Sequence, residues 1–239
     1  MRANPKNPTP KNFEKVHPGV TPGEITLISK QKVNLAHLHL DLSRVEIGTL
    51  AHSLSNICRF TGHVRAFYSV AEHSVLVSRI VPPQHALAGL VHDLHEALVT
   101  DVASPVKPLI SVDHAAFAQE LVEQGFIRPA DLAQVTQVLR DRIPGYREIE
   151  RRAWLAVARL TGVSADLPEE VLKADLVMLA TERLTLQPFD DEPWECLKGV
   201  EPVRDPALQP RCLPPVKAYD LFMRRWDELG GAIRIRSAS

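Results

Sequence analysis

Three predicted helices each direct a histidine or an aspartate toward the protein interior. The residues are His73, the His92-Asp93 pair and Asp175, and apolar residues flank them at helical spacing. Taken singly, each has an ordinary explanation, since an inward histidine is usually hydrogen-bonded and an inward aspartate often caps a helix or meets an arginine. A carboxylate on an apolar face is costly unless it is paired, hydrogen-bonded or metal-bound. Three helices that all present such groups favour a shared metal site.

The donor types indicate which metal ions would suit the site. Two imidazoles and two carboxylates match a borderline or hard divalent ion such as Mn, Fe, Co or Zn. A thiolate site is excluded because the three cysteines are widely spaced, at Cys58, Cys196 and Cys212. Glu96 follows one helical turn after His92 and shares its side of the predicted helix, so a further carboxyl group accompanies the site.

Helices must position these residues. The first predicted helix starts from a capping box formed by Ser43 and Glu46, after which apolar residues recur at helical spacing. The predicted helices run roughly over Arg44–Ile57, Ser69–Ile80, Gln84–Val99, His114–Gln124, Pro129–Arg142, Tyr146–Leu160, Pro168–Leu186 and Pro215–Leu229. Strands and helices do not alternate, so we expect an all-α domain of seven or eight helices.

The segments outside these helices differ in composition. Residues 1–42 form a predicted N-terminal arm, in which Ile25–Leu42 could supply one or two short strands. The helical domain covers residues 43–230 and leaves 231–239 as a C-terminal tail. Between Gln187 and Pro215 the helical period fails and seven prolines appear. A segment of this length and proline content indicates either a loop that wraps over the surface before the last helix, which we favour, or a lid over an active site.

Composition limits the class of partner. The chain has 239 residues, a formal net charge of −1 and 5% aromatic residues, which argues against polymeric nucleic acid and anionic membranes. No apolar run is long enough for a secretory signal or a membrane span, so we expect a cytoplasmic protein. The glycine motifs of dinucleotide-binding and P-loop folds are absent, which excludes phosphate binding of those two kinds.

The motifs resemble those of a known enzyme family. The pattern H…HD…D, read as His73, His92-Asp93 and Asp175, is similar to the metal signature of the HD-domain phosphohydrolases. The likeness extends to Arg59-Phe60, YSVAEHS at 68–74, HDLHEALVTDVASPVK at 92–107, KAD at 173–175 and ATER at 180–183. Within that family the chain resembles the YfbR-like 5′-deoxynucleotidases and the phage-type dATP triphosphohydrolases over roughly Val45–Leu229.

The resemblance implies a helical HD domain with one divalent ion, which would be Mn, Co, Zn, Fe or Mg. Its ligands would be His73, His92, Asp93 and Asp175. The resemblance also implies a catalytic role for Glu96, a phosphate contact from Arg59 and a contact of Asp101 with the sugar 3′-hydroxyl. Phe60 stands where the bacterial 5′-deoxynucleotidase has a tryptophan beside the sugar, which leaves the choice between deoxyribose and ribose open. Family members suggest a homo-oligomer.

The implied reaction is hydrolysis of a phosphoryl group of a nucleotide, either a 5′-dNMP or a dNTP. A divalent ion lowers the pKa of bound water from 15.7 toward about 7, and Glu96 would orient that water or carry its proton. Arg59, Arg65 and Lys107 are the candidate cations for the phosphoryl oxygens, although the last two could equally be surface residues. The alternative function is a non-catalytic HD-type module that binds nucleotide or metal.

Overall fold

The computed structural model of the protein describes residues 21–188, 192 and 194–231, and most of these are helical. The helices are α1 Ile47–Asn56, α2 Val70–Ile80, α3 Ala86–Val91, α4 Glu96–Val99, α5 His114–Glu123, α6 Leu132–Arg142, α7 Tyr146–Thr161, α8 Glu169–Leu186 and α9 Pro215–Glu228. A short antiparallel sheet, β1 Glu24–Thr26 and β2 Lys32–Asn34, precedes them and pairs Glu24 with Asn34. The all-α fold with an N-terminal arm is therefore confirmed.

Two predicted terminal segments lie largely or partly outside the described residues. These are the first 20 residues of the N-terminal arm and residues 232–239 of the C-terminal tail. Among the residues that are described, no helix combines the length and the apolar character needed to cross a membrane.

Helix α2 occupies the centre of the fold. It packs against α1, α3, α8 and α9, and every residue from Val70 to Ser78 is buried. The main apolar core lies among α1, α2, α3, α7 and α9, and a second core around Tyr68 lies between α2 and α8. Because α2 is covered on all sides, its polar side chains Glu72 and His73 must find partners inside the protein.

Helix α1 begins later than the sequence predicts. The predicted capping box is wrong, because Ser43 lies outside the helix and Glu46 takes the N-cap position without a side-chain hydrogen bond. Leu40, Leu42 and Val45 are buried, and a turn is closed by the Val45 N–H and the Leu42 carbonyl at 2.8 Å. Burial of these side chains holds the segment before α1 against the core.

The third predicted helix, Gln84–Val99, is interrupted at the proposed metal ligands. A turn separates α3 from α4, and its hydrogen bonds tighten to i→i−3, as between the Glu96 N–H and the Asp93 carbonyl at 2.9 Å. His92 Nδ1 donates to the Gly89 carbonyl at 2.8 Å. A continuous α-helix would offer that carbonyl to the N–H of residue 93, so the His92 side chain competes with the backbone and the helix winds more tightly. For the other helices after α1, the observed first and last residues lie within three positions of the predicted ones.

The proline-rich segment between α8 and α9 packs onto the domain. Thr181 Oγ1 accepts a hydrogen bond from the Val203 N–H at 2.9 Å. The Glu72 carboxylate accepts from the N–H groups of Arg211 at 2.6 Å and Leu213 at 2.8 Å. These contacts support the predicted surface wrap, although positions 189–191 and 193 of the segment lie outside the described residues.

Candidate metal centre

The imidazoles of His73 and His92 meet at the centre of the predicted site. His73 lies on α2 and His92 directly follows α3, and their Nε2 atoms are 3.4 Å apart. His92 Nδ1 lies 2.8 Å from the Gly89 carbonyl oxygen, and His73 Nδ1 lies 2.6 Å from Glu182 Oε1. A carbonyl and an ionised carboxylate only accept hydrogen bonds, so each Nδ1 carries a proton. In the neutral rings, both lone pairs are therefore on the converging Nε2 atoms.

Two carboxylates complete what we call the His/Asp cluster, which consists of His73, His92, Asp93 and Asp175. Asp93 Oδ2 lies 3.2 Å from His92 Nε2 and 3.5 Å from His73 Nε2. Asp175 Oδ1, on α8, lies 3.1 Å from His73 Nε2 and 3.9 Å from His92 Nε2. The ligand atoms of His73, His92 and Asp93 all lie within 4.8 Å of one another, so this group could hold a metal ion.

The charges of the cluster favour a bound cation. Burial opposes the charged form of His92, but Asp93 and Asp175 outweigh it and raise the pKa of His92 well above its usual value. Burial likewise opposes ionisation of Asp175, but the adjacent imidazoles of His73 and His92 hold the pKa of Asp175 well below its usual value. The two carboxylates that hold protons on the histidines would attract a divalent ion in the same way.

Glu96 supplies an unpartnered carboxyl group next to the cluster. It begins α4, is 5% exposed, and its Oε2 has no hydrogen-bond partner among the described residues. Burial, followed by the charges of Asp93 and Asp101, raises the pKa of Glu96 well above its usual value, and Arg59 and Lys107 oppose the shift only in part. Such a group can hold a proton at a pH where an ordinary glutamate is ionised.

Arg59 brings a buried positive charge to the same place. It is 8% exposed, with Nε 3.2 Å from Glu182 Oε2 and Nη1 3.5 Å from Asp93 Oδ2. Burial disfavours the guanidinium charge, but Glu182 and Asp93 outweigh burial and raise the pKa of Arg59 above its usual value. Arg59 therefore remains a cation beside the cluster, where it could bind an anionic oxygen.

Phe60 follows Arg59 in a rare backbone conformation. Phe60 and Thr61 both adopt left-handed backbone angles, with φ of 56° and 54°. Residues other than glycine take this conformation at a cost, and it recurs at functional sites. The Phe60 ring centre lies 5.5 Å from the Arg59 guanidinium carbon and 6.4 Å from the Trp194 ring centre. These contacts hold Phe60 beside Arg59, while its predicted contact with the sugar stays a prediction.

Asp101, Lys107 and Arg65 are the remaining predicted substrate contacts, and the structure associates only the first two with the site. Burial raises the pKa of Asp101, and the positive charge of Arg59 opposes this shift more than any other charge does. Lys107 Nζ lies 2.6 Å from Glu150 Oε1 on α7. Arg65 is exposed, and its side chain makes no hydrogen bond or ion pair within the described part of the chain. The structure therefore does not bring Arg65 to the cluster.

Sequence reasoning does not assign a role to Glu182, which is fully buried in this structure. Besides its contacts with His73 and Arg59, Glu182 Oε1 accepts a hydrogen bond from the Tyr68 hydroxyl at 2.8 Å. A signal was present, since Glu182 follows Asp175 by seven positions and thus lies two turns along the same face of α8.

Glu150 is a second carboxylate that the sequence did not reveal. It bonds Lys107, 43 positions away in sequence, and its Oε1 lies 3.7 Å from His95 Nε2. Burial opposes ionisation of Glu150, but these two neighbours hold its pKa below the usual value. No local spacing links Glu150 to its partners, so only the fold shows their association.

Comparison with known proteins places the chain beside uncharacterized bacterial relatives. No protein-family model matches it. It is 33% identical over 185 residues to the uncharacterized protein YfdR of Escherichia coli K12, an alignment that covers 77% of this chain and 84% of YfdR. It is 26% identical over 195 residues to an uncharacterized protein of Rhodobacter capsulatus, with 76% and 83% of the two chains covered.

Proposed function

This chain belongs to the family of the Escherichia coli protein YfdR, and we propose that it is a metal-dependent phosphohydrolase of the HD type that acts on a nucleotide. The observation that carries the proposal is the convergence of two imidazole nitrogens, 3.4 Å apart, with the carboxylates of Asp93 and Asp175. Motif resemblance to HD-domain phosphohydrolases supports the same reaction class. The substrate would be a 5′-dNMP or a dNTP.

In this proposal the His/Asp cluster binds one divalent ion, which is Mn, Co, Zn, Fe or Mg. When bound, the ion would lower the pKa of water and polarise a phosphoryl oxygen. The fit of the residues rests on the hydrogen bonds at Nδ1 of both histidines, because metal-binding histidines are usually fixed by an acceptor at their second nitrogen.

Residues around the cluster would bind and orient the nucleotide. Arg59 would bind a phosphoryl oxygen, and Glu96 would orient the attacking water or carry its proton. Asp101 and Phe60 would contact the sugar, and Lys107 would add positive charge. Arg65, which is exposed, would contribute only to a substrate that extends beyond its first phosphate, as a dNTP does. The homo-oligomer and the cytoplasmic location stay predictions.

A non-catalytic module that binds metal and nucleotide is the second candidate. It is favoured by the pairing of the candidate cations, because Arg59 contacts Glu182 and Asp93 while Lys107 contacts Glu150. A phosphate would have to share these cations with carboxylates. Binding without turnover would therefore be consistent with this arrangement.

Hydrolysis across a panel of substrates and metals tests the proposal. Protein stripped with a chelator is assayed with Mn, Co, Zn or Mg and with dNMPs, dNTPs and ribonucleotides, and phosphate and triphosphate are detected separately. We expect release of one of these products to require added metal. Nucleotide binding with no hydrolysis across the panel would instead favour the binding module.

An aspartate variant links any activity to the cluster. Asp93→Ala should lose both metal binding and turnover while the protein remains folded. Asp166→Ala is the matched control, since Asp166 is exposed and lies outside the cluster, and it should keep wild-type activity. Full product release by Asp93→Ala would refute the assignment of the site.

A further inference from the structure

Glu182 is a fully buried carboxylate at the centre of a hydrogen-bond network in the protein interior. Its Oε1 accepts from the Tyr68 hydroxyl at 2.8 Å and from His73 Nδ1 at 2.6 Å, and its Oε2 accepts from Arg59 Nε at 3.2 Å. An unpaired charge at 0% exposure would be strongly unfavourable, but three donors satisfy this one. The network therefore fixes all four side chains relative to one another.

The contact with His73 determines which ring nitrogen is available. Because Glu182 accepts, His73 must donate from Nδ1, and the lone pair of the neutral ring is left on Nε2. That atom lies 3.1 Å from Asp175 and 3.5 Å from Asp93, so it is the ligand atom of the cluster. A carboxylate in this position also makes the imidazole a stronger electron donor.

The second oxygen of Glu182 performs a related task for Arg59. Glu182 Oε2 holds Arg59 Nε, and Arg59 Nη1 then lies 3.5 Å from Asp93 Oδ2. The guanidinium therefore stays beside the cluster. Arg59 precedes α2, His73 lies on α2, and Glu182 belongs to α8. One carboxylate thus aligns a metal ligand and an anion-binding cation that come from different parts of the chain.

We propose that Glu182 is a positioning residue, which fixes His73 as a metal ligand through Nε2 and holds Arg59 against the cluster. This inference rests on the metal site of the proposed function. Glu182 touches neither metal nor substrate, and it acts through the two side chains that do.

Affinity for Co²⁺ tests this role without relying on turnover. Wild-type protein and the variants Glu182→Ala and Glu182→Gln are stripped of metal, and Co²⁺ binding is measured by competition with a chromogenic chelator. We expect about 10- to 100-fold weaker binding in Glu182→Ala, the usual effect of losing such a partner. Glu182→Gln keeps the shape but loses the charge and offers one acceptor oxygen to three donors, so it should also bind Co²⁺ more weakly. The visible spectrum of bound Co²⁺ should change in both variants.

Two controls separate positioning from general stability. Tyr68→Phe removes one hydrogen bond to Glu182 but leaves the carboxylate, so Co²⁺ affinity should stay close to wild type. Glu72→Gln alters another fully buried carboxylate of the same region, one that bonds backbone groups of the wrap, so it should lower stability and leave Co²⁺ affinity unchanged. A loss of affinity in Glu72→Gln equal to that in Glu182→Ala would overturn the positioning role.

The possible outcomes distinguish this inference from the proposed function. Wild-type Co²⁺ affinity in a folded Glu182→Gln or Glu182→Ala variant refutes the role of Glu182. If wild type binds Co²⁺ tightly, the Glu182 variants bind it weakly and no nucleotide is hydrolysed, the positioning role stands and the phosphohydrolase proposal fails. If wild type binds no Co²⁺, both fail.

Discussion

Replacement of Glu96 by glutamine is expected to stabilise the metal-free protein and to remove most of the proposed activity. The Glu96 carboxyl is buried and its Oε2 is unpartnered among the described residues. Burial and the charges of Asp93 and Asp101 raise its pKa well above the usual value, so the folded state favours the protonated form. Glutamine keeps the size and shape of that form and cannot ionise.

The gain in stability should grow with pH. Above the ordinary glutamate pKa of about 4.3, the folded wild type binds more protons than the unfolded chain, so its stability falls as pH rises through the raised pKa. The stability of the Glu96→Gln variant should not fall with pH in this way, because glutamine does not ionise. Glutamine would bury an unpartnered amide in place of the carboxyl group, so the substitution removes only the cost of the buried negative charge, and we expect a gain on the order of 1 kcal/mol at pH 8. For a chain of this length that corresponds to a rise of about 2–4 °C in Tm.

The effect on rate should have the opposite sign. A general acid–base group contributes about 10²- to 10⁴-fold to the rate, so its loss raises the barrier by about 2.7–5.4 kcal/mol. Thermal melts between pH 4 and pH 8 in the presence of EDTA measure stability, and product release with Co²⁺ measures activity. Glu201→Gln serves as the control because Glu201 is exposed. A variant that is less stable than wild type at pH 8, or equally stabilised at pH 4 and pH 8, would refute the reasoning, and normal turnover would remove Glu96 from the mechanism.

Three other changes test separate parts of the structure. Glu72→Gln leaves a backbone N–H of the wrap, at Arg211 or Leu213, without its acceptor, which should cost about 1–3 kcal/mol in a urea melt. An unchanged midpoint would show that these two hydrogen bonds do not stabilise the fold. Gly145→Ala would bring a Cβ into a clash with the Val112 backbone nitrogen, so a loss of about 1–3 kcal/mol is expected, and an unaltered melting curve would refute that close approach. Co²⁺ at 100 times its Kd should stabilise wild type by about 2.7 kcal/mol and leave His73→Ala unaffected, as followed by thermal shift before and after EDTA.

The sequence predicted those parts of the fold that depend on helical periodicity. Helices α2, α8 and α9 carry strong local patterns, and their bounds agree with prediction to within one residue at each end. The same periodicity placed His73 and Asp175 on inward faces. Their distance of 3.1 Å shows that both faces turn to the same site. His73 is fully buried, but the Asp175 side chain is 38% exposed, so the inward position predicted for Asp175 is wrong and the residue lies at the edge of the core.

Other features could not be predicted because they depend on competition between local and distant contacts. The predicted helix Gln84–Val99 is interrupted because the His92 side chain bonds the Gly89 carbonyl. The spacing of apolar residues does not indicate such a bond. Ser43 and Glu46 have the spacing of a capping box, but the capping box does not form. Burial of the neighbouring apolar side chains determines the path of the chain there. Arg59 and Glu182 are 123 positions apart, so their pairing is a property of the fold.

The hydrogen bonds at Nδ1 of the two histidines also determine how the cluster exchanges ions with solvent. With Nδ1 already protonated in both rings, any additional proton must bind at Nε2, the same atom that a metal ion would use. Asp93 and Asp175 raise the pKa of His92 well above its usual value, so the metal-free cluster favours such a proton. A metal ion that enters must displace it, so uptake would acidify an unbuffered solution and affinity would fall in acid. Metal occupancy of the cluster would then depend on pH as well as on metal supply.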